Sequence, residues 1–245
     1  LKILKKNDYV GVSALNWSTT VMPLIQLGLK PYFIDIDINS LNISPSNLIN
    51  SLSNNKNIKS LFLTNILGLS DDLLEIRSIC TKKKIFLFED NCESIGSKDL
   101  KNNLFGSKSA CSSYSFFVGH HMSTIEGGAV TTNNFKIYQM LKLVRAHGWI
   151  RNLENPKKIG IKVPKNNFYK QYTFFDLAYN LRPTEIQGFL GLEQLKYLSR
   201  IVDIREKNFF YLLEAYNKNT NFPAIFFVPS KIDNWRSSTL KYNVK

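Results

Sequence analysis

Cysteine and histidine are scarce, with three of each among 245 residues. Cys80, Cys92 and Cys111 are odd in number and irregular in spacing, so they make neither a disulfide framework nor a zinc motif. A reducing, cytoplasmic setting is expected, with Cys80 and Cys111 as small core residues. Long apolar runs are missing as well: no stretch has the length and purity of a membrane span. The opening "LKILKKNDYV" has neither a starting methionine nor the apolar region of a signal peptide. The chain begins on a strand-like run and stops at "SSTLKYNVK" without a closing element, so a fragment lacking both ends is expected. There is no internal repeat and no low-complexity tract. Acidic residues are outnumbered, 19 Asp+Glu against 32 Lys+Arg, for a formal net charge of +13. The lysines are scattered through polar pieces such as "CTKKK" and "ENPKKIGIKVPK". No basic helix with interleaved aromatics occurs, which favours a solvated surface over a nucleic-acid-binding module. An anionic small substrate would also be drawn to such a surface.

Hydrophobic residues make up 44% of the chain, ample for a sizeable core. "DYVGVSAL", "KPYFIDID", "IKSLFLTNI" and "IFLFED" read as strands, and "CSSYSFF" and "GGAVTTN" as two more, the last a candidate antiparallel one. Between them lie helical patterns. "STTVMPLIQLG" has Ser18 or Thr19 near its N-cap, and "SPSNLINSLSN" is entered by Ser and Pro. "SDDLLEIRSICTKKK" carries Asp71 and Asp72 in its first turn and lysines at its end, as the helix dipole favours. "NFKIYQMLKLVRAHG" is a further helix. The stretch from Pro183 to about Tyr216 reads as one long helix or two joined ones, and 151–171 as a loop or irregular excursion. Alternation of this kind predicts an α/β fold with a mostly parallel, buried sheet. Residues 1–200 are expected to form a large domain. Residues 201–245 are expected to be a linking helix and the start of a smaller one.

In an open parallel sheet, ligands bind at the carboxyl ends of strands. That rule singles out Asp90, the last residue of "IFLFED", which is otherwise a cap or turn former. It also singles out Ser115 and the turn in "SFFVGHHMSTIEGG", where two of the three histidines, His120 and His121, stand side by side.

"FLFEDNCESIGS", "GSKSACSSYSFFVGHHMSTIEGGAVTTN", "LVRAHGW" and "YNLRPTEIQGFLGLEQL" occur in that order, after "VGVSALNWSTTVMPLIQLGLKPYFIDID". Together they resemble the DegT/DnrJ/EryC1/StrS sugar aminotransferases, from about residue 8 to 215. The resemblance implies the type I aspartate aminotransferase fold, with a mostly parallel seven-stranded sheet flanked by helices. It implies pyridoxal 5′-phosphate or pyridoxamine 5′-phosphate as cofactor. In that family a lysine five residues after the serine of the "SF" strand bonds covalently to the cofactor. Here that position is His120, and an imidazole has no primary amine to do so. The segment resembles the branch in which histidine replaces lysine, the sugar 3-dehydratases. These remove the C3 hydroxyl from a nucleotide-linked 4-keto-6-deoxyhexose, and histidine serves as the base.

Other roles follow from the resemblance, one position at a time. Asp90 matches the aspartate that pairs with the pyridine nitrogen. Glu93 stands where many members carry glutamine near the cofactor's 3-hydroxyl. Ser115 matches a phosphate-binding serine. Trp17 matches an aromatic that stacks on the ring, or else is a core tryptophan near a helix start. Asn180 matches an asparagine that reaches the phosphate of the opposite subunit, which implies a homodimer with a shared site. His147 matches a histidine near the sugar, or is a helix C-cap. His121 is an orienting neighbour of His120 or a turn residue. Gly127 and Gly128 serve backbone geometry. A related branch acts on CDP-linked sugars and holds an iron–sulfur cluster through a Cys-x-Cys after the segment matching "RAHGW". No cysteine follows Cys111 here, so the cluster-free branch is expected, with a GDP-linked 4-keto-6-deoxymannose as substrate and L-glutamate as amino donor. An ordinary sugar aminotransferase, a CDP-sugar 3-dehydratase and a catalytically dead homologue are the alternatives.

Overall fold

The computed structural model describes residues 3–218. Six strands form one sheet in the order β2-β1-β3-β4-β5-β6. They are β1 (Tyr9–Ser13), β2 (Lys30–Ile34), β3 (Ile58–Thr64), β4 (Phe86–Asp90), β5 (Cys111–Ser115) and β6 (Gly128–Thr131). Every neighbouring pair is parallel except β5 with β6, which is antiparallel. The expected count of seven strands is corrected to six among the described residues. All six strand-like runs of the sequence pair, and no seventh run with that apolar pattern lies among them.

The helices are α1 (Ser18–Gln26), α2 (Pro45–Asn54), α3 (Leu73–Lys83), α4 (Phe135–Val144), α5 (Asn167–Gln171), α6 (Glu185–Leu195) and α7 (Leu198–Lys218). The strands alternate their side chains between two cores. Leu61 and Leu63 of β3 and Leu87 of β4 pack with Leu48 of α2 and with Leu73 and Ile76 of α3. Val10 and Val12 of β1 pack with Leu24 of α1, and Phe62 joins them from the other face of β3. Residues buried on both faces explain why these strands read as continuous apolar runs. No described helix is long and apolar enough to cross a membrane.

Local chemistry sets the helix ends. The Ser44 hydroxyl accepts from the Asn47 amide at 3.2 Å, with Pro45 opening α2. Thr184 and Gln187 form a reciprocal capping box on α6. Three expectations shift. The N-cap of α1 is Trp17, which offers no capping hydrogen bond, because Ser18 is already the first helical residue. Asp72 is the N-cap of α3, accepting from the Glu75 amide at 3.0 Å, so Asp71 lies outside the first turn. The excursion 151–171 is partly organised, because the Asn155 and Asn166 side chains cap a 3₁₀ turn at Pro156–Ile159 and the short α5. Of the two readings for 183–216, the structure has two helices, which meet at Lys196 and Tyr197. Part of the expected small-domain start, residues 219–245, lies outside the described residues.

Beneath the carboxyl half of the sheet lies a buried ionic network. Arg77 of α3 donates from Nε to Glu89 Oε1 at 2.9 Å and from Nη1 to Asp99 Oδ2 at 2.7 Å. The Gly106 amide donates to Glu89 Oε2 at 2.9 Å. Glu89 is fully buried (0% exposed), and a charge so placed persists only with partners of this quality.

Candidate active site

The parallel strands bring Ser13, Thr64, Asp90 and Ser115 to the carboxyl edge of the sheet, where β1, β3, β4 and β5 end. Asp90 sits in register with Thr64 on one side and Ser113 on the other. Its Oδ1 accepts from the Ser113 hydroxyl at 3.0 Å and from the Cys92 amide at 3.1 Å. Asp90 therefore does form a turn, and its carboxylate is also fixed in place at the end of a central strand. Burial, and secondarily the charge of Asp90, pushes the Cys92 thiol up to about 12, so it carries no nucleophilic thiolate at neutral pH. Glu93 Oε2 accepts from the Leu67 amide at 2.7 Å. Leu67 is held in the left-handed region (φ 54°), which turns that amide toward the acid.

His120 stands on the turn that leaves β5. The Phe117 amide donates to Ser115 Oγ at 3.2 Å, the His120 amide to the Phe117 carbonyl at 2.9 Å, and the Thr124 amide to the Phe116 carbonyl at 2.9 Å. The ring of Phe117 meets the His120 imidazole edge-on at 5.8 Å. The two adjacent histidines part company: His121 is buried (4% exposed) and His120 is half-buried. Trp17, four residues past β1, is 74% exposed, so the core-tryptophan reading is overturned.

His147 and Asn180 form a second group, built on a different pair of segments. Ala146 bridges to Asn180 and Trp149 to Phe174, both antiparallel. The His147 amide donates to the Tyr179 carbonyl at 2.7 Å, with His147 in the left-handed region (φ 61°) two residues past the α4 C-cap, Arg145. Asn180 is exposed, and its Oδ1 accepts from Arg182 Nε at 3.1 Å.

The donor set at the sheet edge suits a phosphorylated pyridine. It comprises an anchored carboxylate, a serine hydroxyl beside a main-chain turn and an exposed indole. Two cavities lie elsewhere. One of about 450 Å³ is at the amino end of β4, near Lys59, Lys84 and Lys108, and one of about 570 Å³ is in the 150–170 excursion. Sequence reasoning missed three residues of the site. Ser113 orients Asp90; its signal was the parallel pairing of β4 with β5. Gln187 donates to the Glu126 carbonyl at 2.8 Å and Arg205 to the His120 carbonyl at 3.1 Å. Both reach the histidine turn from far along the chain, where no local pattern marks them.

Comparison with known proteins gives a consistent picture. The model of the DegT/DnrJ/EryC1/StrS aminotransferase family matches residues 1–243. The chain is 40% identical over 214 residues to GDP-4-keto-6-deoxy-D-mannose 3-dehydratase of Escherichia coli O55:H7, covering 87% of this chain and 54% of that protein. The solved E. coli GDP-4-keto-6-deoxy-D-mannose-3-dehydratase with bound hydrated PLP superposes with a TM-score of 0.82 at 39% identity, covering 89% of this chain and 55% of that one. A GDP-4-keto-6-deoxymannose-3-dehydratase with a trapped PLP-glutamate geminal diamine gives 0.83 at 38%, with 89% and 56% covered. The chain spans about half the length of the curated relatives it matches.

Proposed function

The chain belongs to the DegT/DnrJ/EryC1/StrS aminotransferase family, and from that premise we propose that its protein is a cytoplasmic, homodimeric sugar 3-dehydratase. Its substrate is a nucleotide-linked 4-keto-6-deoxyhexose, GDP-4-keto-6-deoxy-D-mannose. Its cofactor is pyridoxal 5′-phosphate, recharged as the pyridoxamine form by L-glutamate. The observation that carries the reading is the imidazole at position 120, on the turn that leaves β5, the strand paired with that of the anchored Asp90.

When bound, the cofactor supplies an electron sink at its pyridine ring. Asp90 would hold the ring nitrogen, its carboxylate fixed by the Ser113 hydroxyl and the Cys92 amide. Ser115 would hold the phosphate and Trp17 would lie over the ring. Glu93 would stand near the 3-hydroxyl, and Asn180 would reach across from a second copy. His147 would line the sugar. His120 takes a proton on a ring nitrogen and gives one to the C3 oxygen of the sugar as it departs, a task suited to a group that titrates near neutrality. The side chain at 120 offers no primary amine to compete for the sugar's carbonyl carbon, so elimination is favoured over release of an aminated sugar.

The test is incubation of the full-length protein with pyridoxal 5′-phosphate, glutamate and GDP-4-keto-6-deoxymannose, read by mass spectrometry. A 3-deoxygenated sugar with 2-oxoglutarate and ammonia is expected. An aminated sugar returns the protein to the aminotransferases. No turnover and no cofactor absorbance means a catalytically dead homologue.

A further inference from the structure

We propose that Arg205 is a positioning residue for His120, reaching from α7 to fix the main chain of the turn that presents the imidazole. This rests on the reading of His120 as the base. Arg205 Nη2 donates to the His120 carbonyl at 3.1 Å across a sequence separation of 85. The His120 amide is held from the other side by the Phe117 carbonyl at 2.9 Å. With both peptide groups restrained, the imidazole keeps little freedom beyond its own two torsions. Arg205 is half-buried, and burial pulls its pKa down. An arginine nonetheless stays charged in a protein, and a charged donor makes the stronger hydrogen bond.

The helix that carries Arg205 is itself held. Val202, Arg205 and Phe209 recur at the spacing of one helical face. A side chain at Gly96 (φ 89°) would meet Val202 Cγ2 at 2.6 Å, so α7 lies directly against the backbone that follows Glu93. Phe209 is buried, 3% exposed. One face of α7 thus touches the segment after the carboxylates and also the turn of the histidine. It sets the spacing between the group that anchors a ligand and the group that moves its proton. A displacement near 1 Å at such a point costs about 10²-fold in rate.

The test uses the full-length holoenzyme with Arg205→Met and Arg205→Lys. In Arg205→Met, kcat is expected to fall about 10²-fold while KM stays within about twofold, and added guanidinium ion restores part of the rate. The imidazole resonances of His120, assigned by their loss in His120→Asn, are expected to move in Arg205→Met without any turnover. Unchanged resonances with unchanged kcat overturn the proposal, and so does a rise confined to KM, which would mean that Arg205 binds substrate. If Arg205→Met does not fold, Arg205→Lys decides by the same resonances and kcat. If the parent enzyme does not deoxygenate the sugar, the functional reading fails separately, and the resonances still decide for Arg205.

Discussion

Glu89 and Asp90 are neighbours on β4, and the pleat sends them to opposite faces of the sheet. On one face, Glu89 is fully buried and bound by Arg77, Gly106 and, at 3.4 Å, Asn65. On the other, Asp90 is half-buried, and its Oδ1 accepts from Ser113 and Cys92. The first acid is enclosed by partners from α3 and two loops and holds the fold together. The second is held still at the carboxyl edge of the sheet, where ligands bind. Residue type and neighbourhood in sequence do not separate these two carboxylates; depth of burial and the charged partner do.

The sharpest way to break this comparison is on the structural face. Arg77→Ala leaves Glu89 and Asp99 as uncompensated buried charges, and a loss of about 3–5 kcal/mol is expected in urea unfolding. The rate per folded molecule should stay at the parent value; a selective loss of kcat would place Arg77 in the chemistry. Asp90→Asn should do the reverse. Asparagine keeps an oxygen for Ser113 and Cys92, so the thermal midpoint should hold while deoxygenation falls about 10²–10³-fold. A large drop in stability instead would make Asp90 a second structural acid. Ser113→Ala removes one hydrogen bond to Asp90 and should cost about 0.5–1.5 kcal/mol, seen in the same melts, with a rate loss of several fold at most. The smallest effect near neutrality is that of the thiols. Burial pushes Cys80 and Cys92 up to about 12 and Cys111 to about 11 from 9.0. Above pH 9 the unfolded chain therefore loses thiol protons that the folded one keeps. Stability should be unaffected by these groups below that point and decline as pH rises toward 11–12. A urea midpoint that is flat from about pH 9 to 11 would contradict the burial.

Much of this fold was legible because its signals are local. The first four strands alternate with three helices, and Ser44 with Pro45 marks the entry of α2 beside it. Asp90 was legible because a strand-end acid has a positional meaning in a parallel sheet. What stayed hidden depends on pairing across distance. That Glu89 belongs to Arg77 and Asp99 requires knowing which face α3 covers. That Trp17 is exposed requires knowing that α1 begins one residue earlier than a Ser18 cap would place it, which makes Trp17 the N-cap. The grip of Gln187 and Arg205 on the histidine turn follows from α6 and α7 folding back over a loop laid down some 60 to 85 residues earlier.

The bridges Ala146–Asn180 and Trp149–Phe174, with the stacked rings of Trp149 and Phe174 at 5.5 Å, tie off the segment between them at its base. Gly148 makes the closure possible, since a side chain there would run into the Asp176 carbonyl. A loop closed in this way is insulated from its own length: doubling it adds only about 0.6 kcal/mol of closure entropy. Leu153 and Ile161 of the excursion are buried with Leu143 and Ile150, so the freedom to change length falls to its exposed residues 165–171, with His147 kept where the bridges hold it.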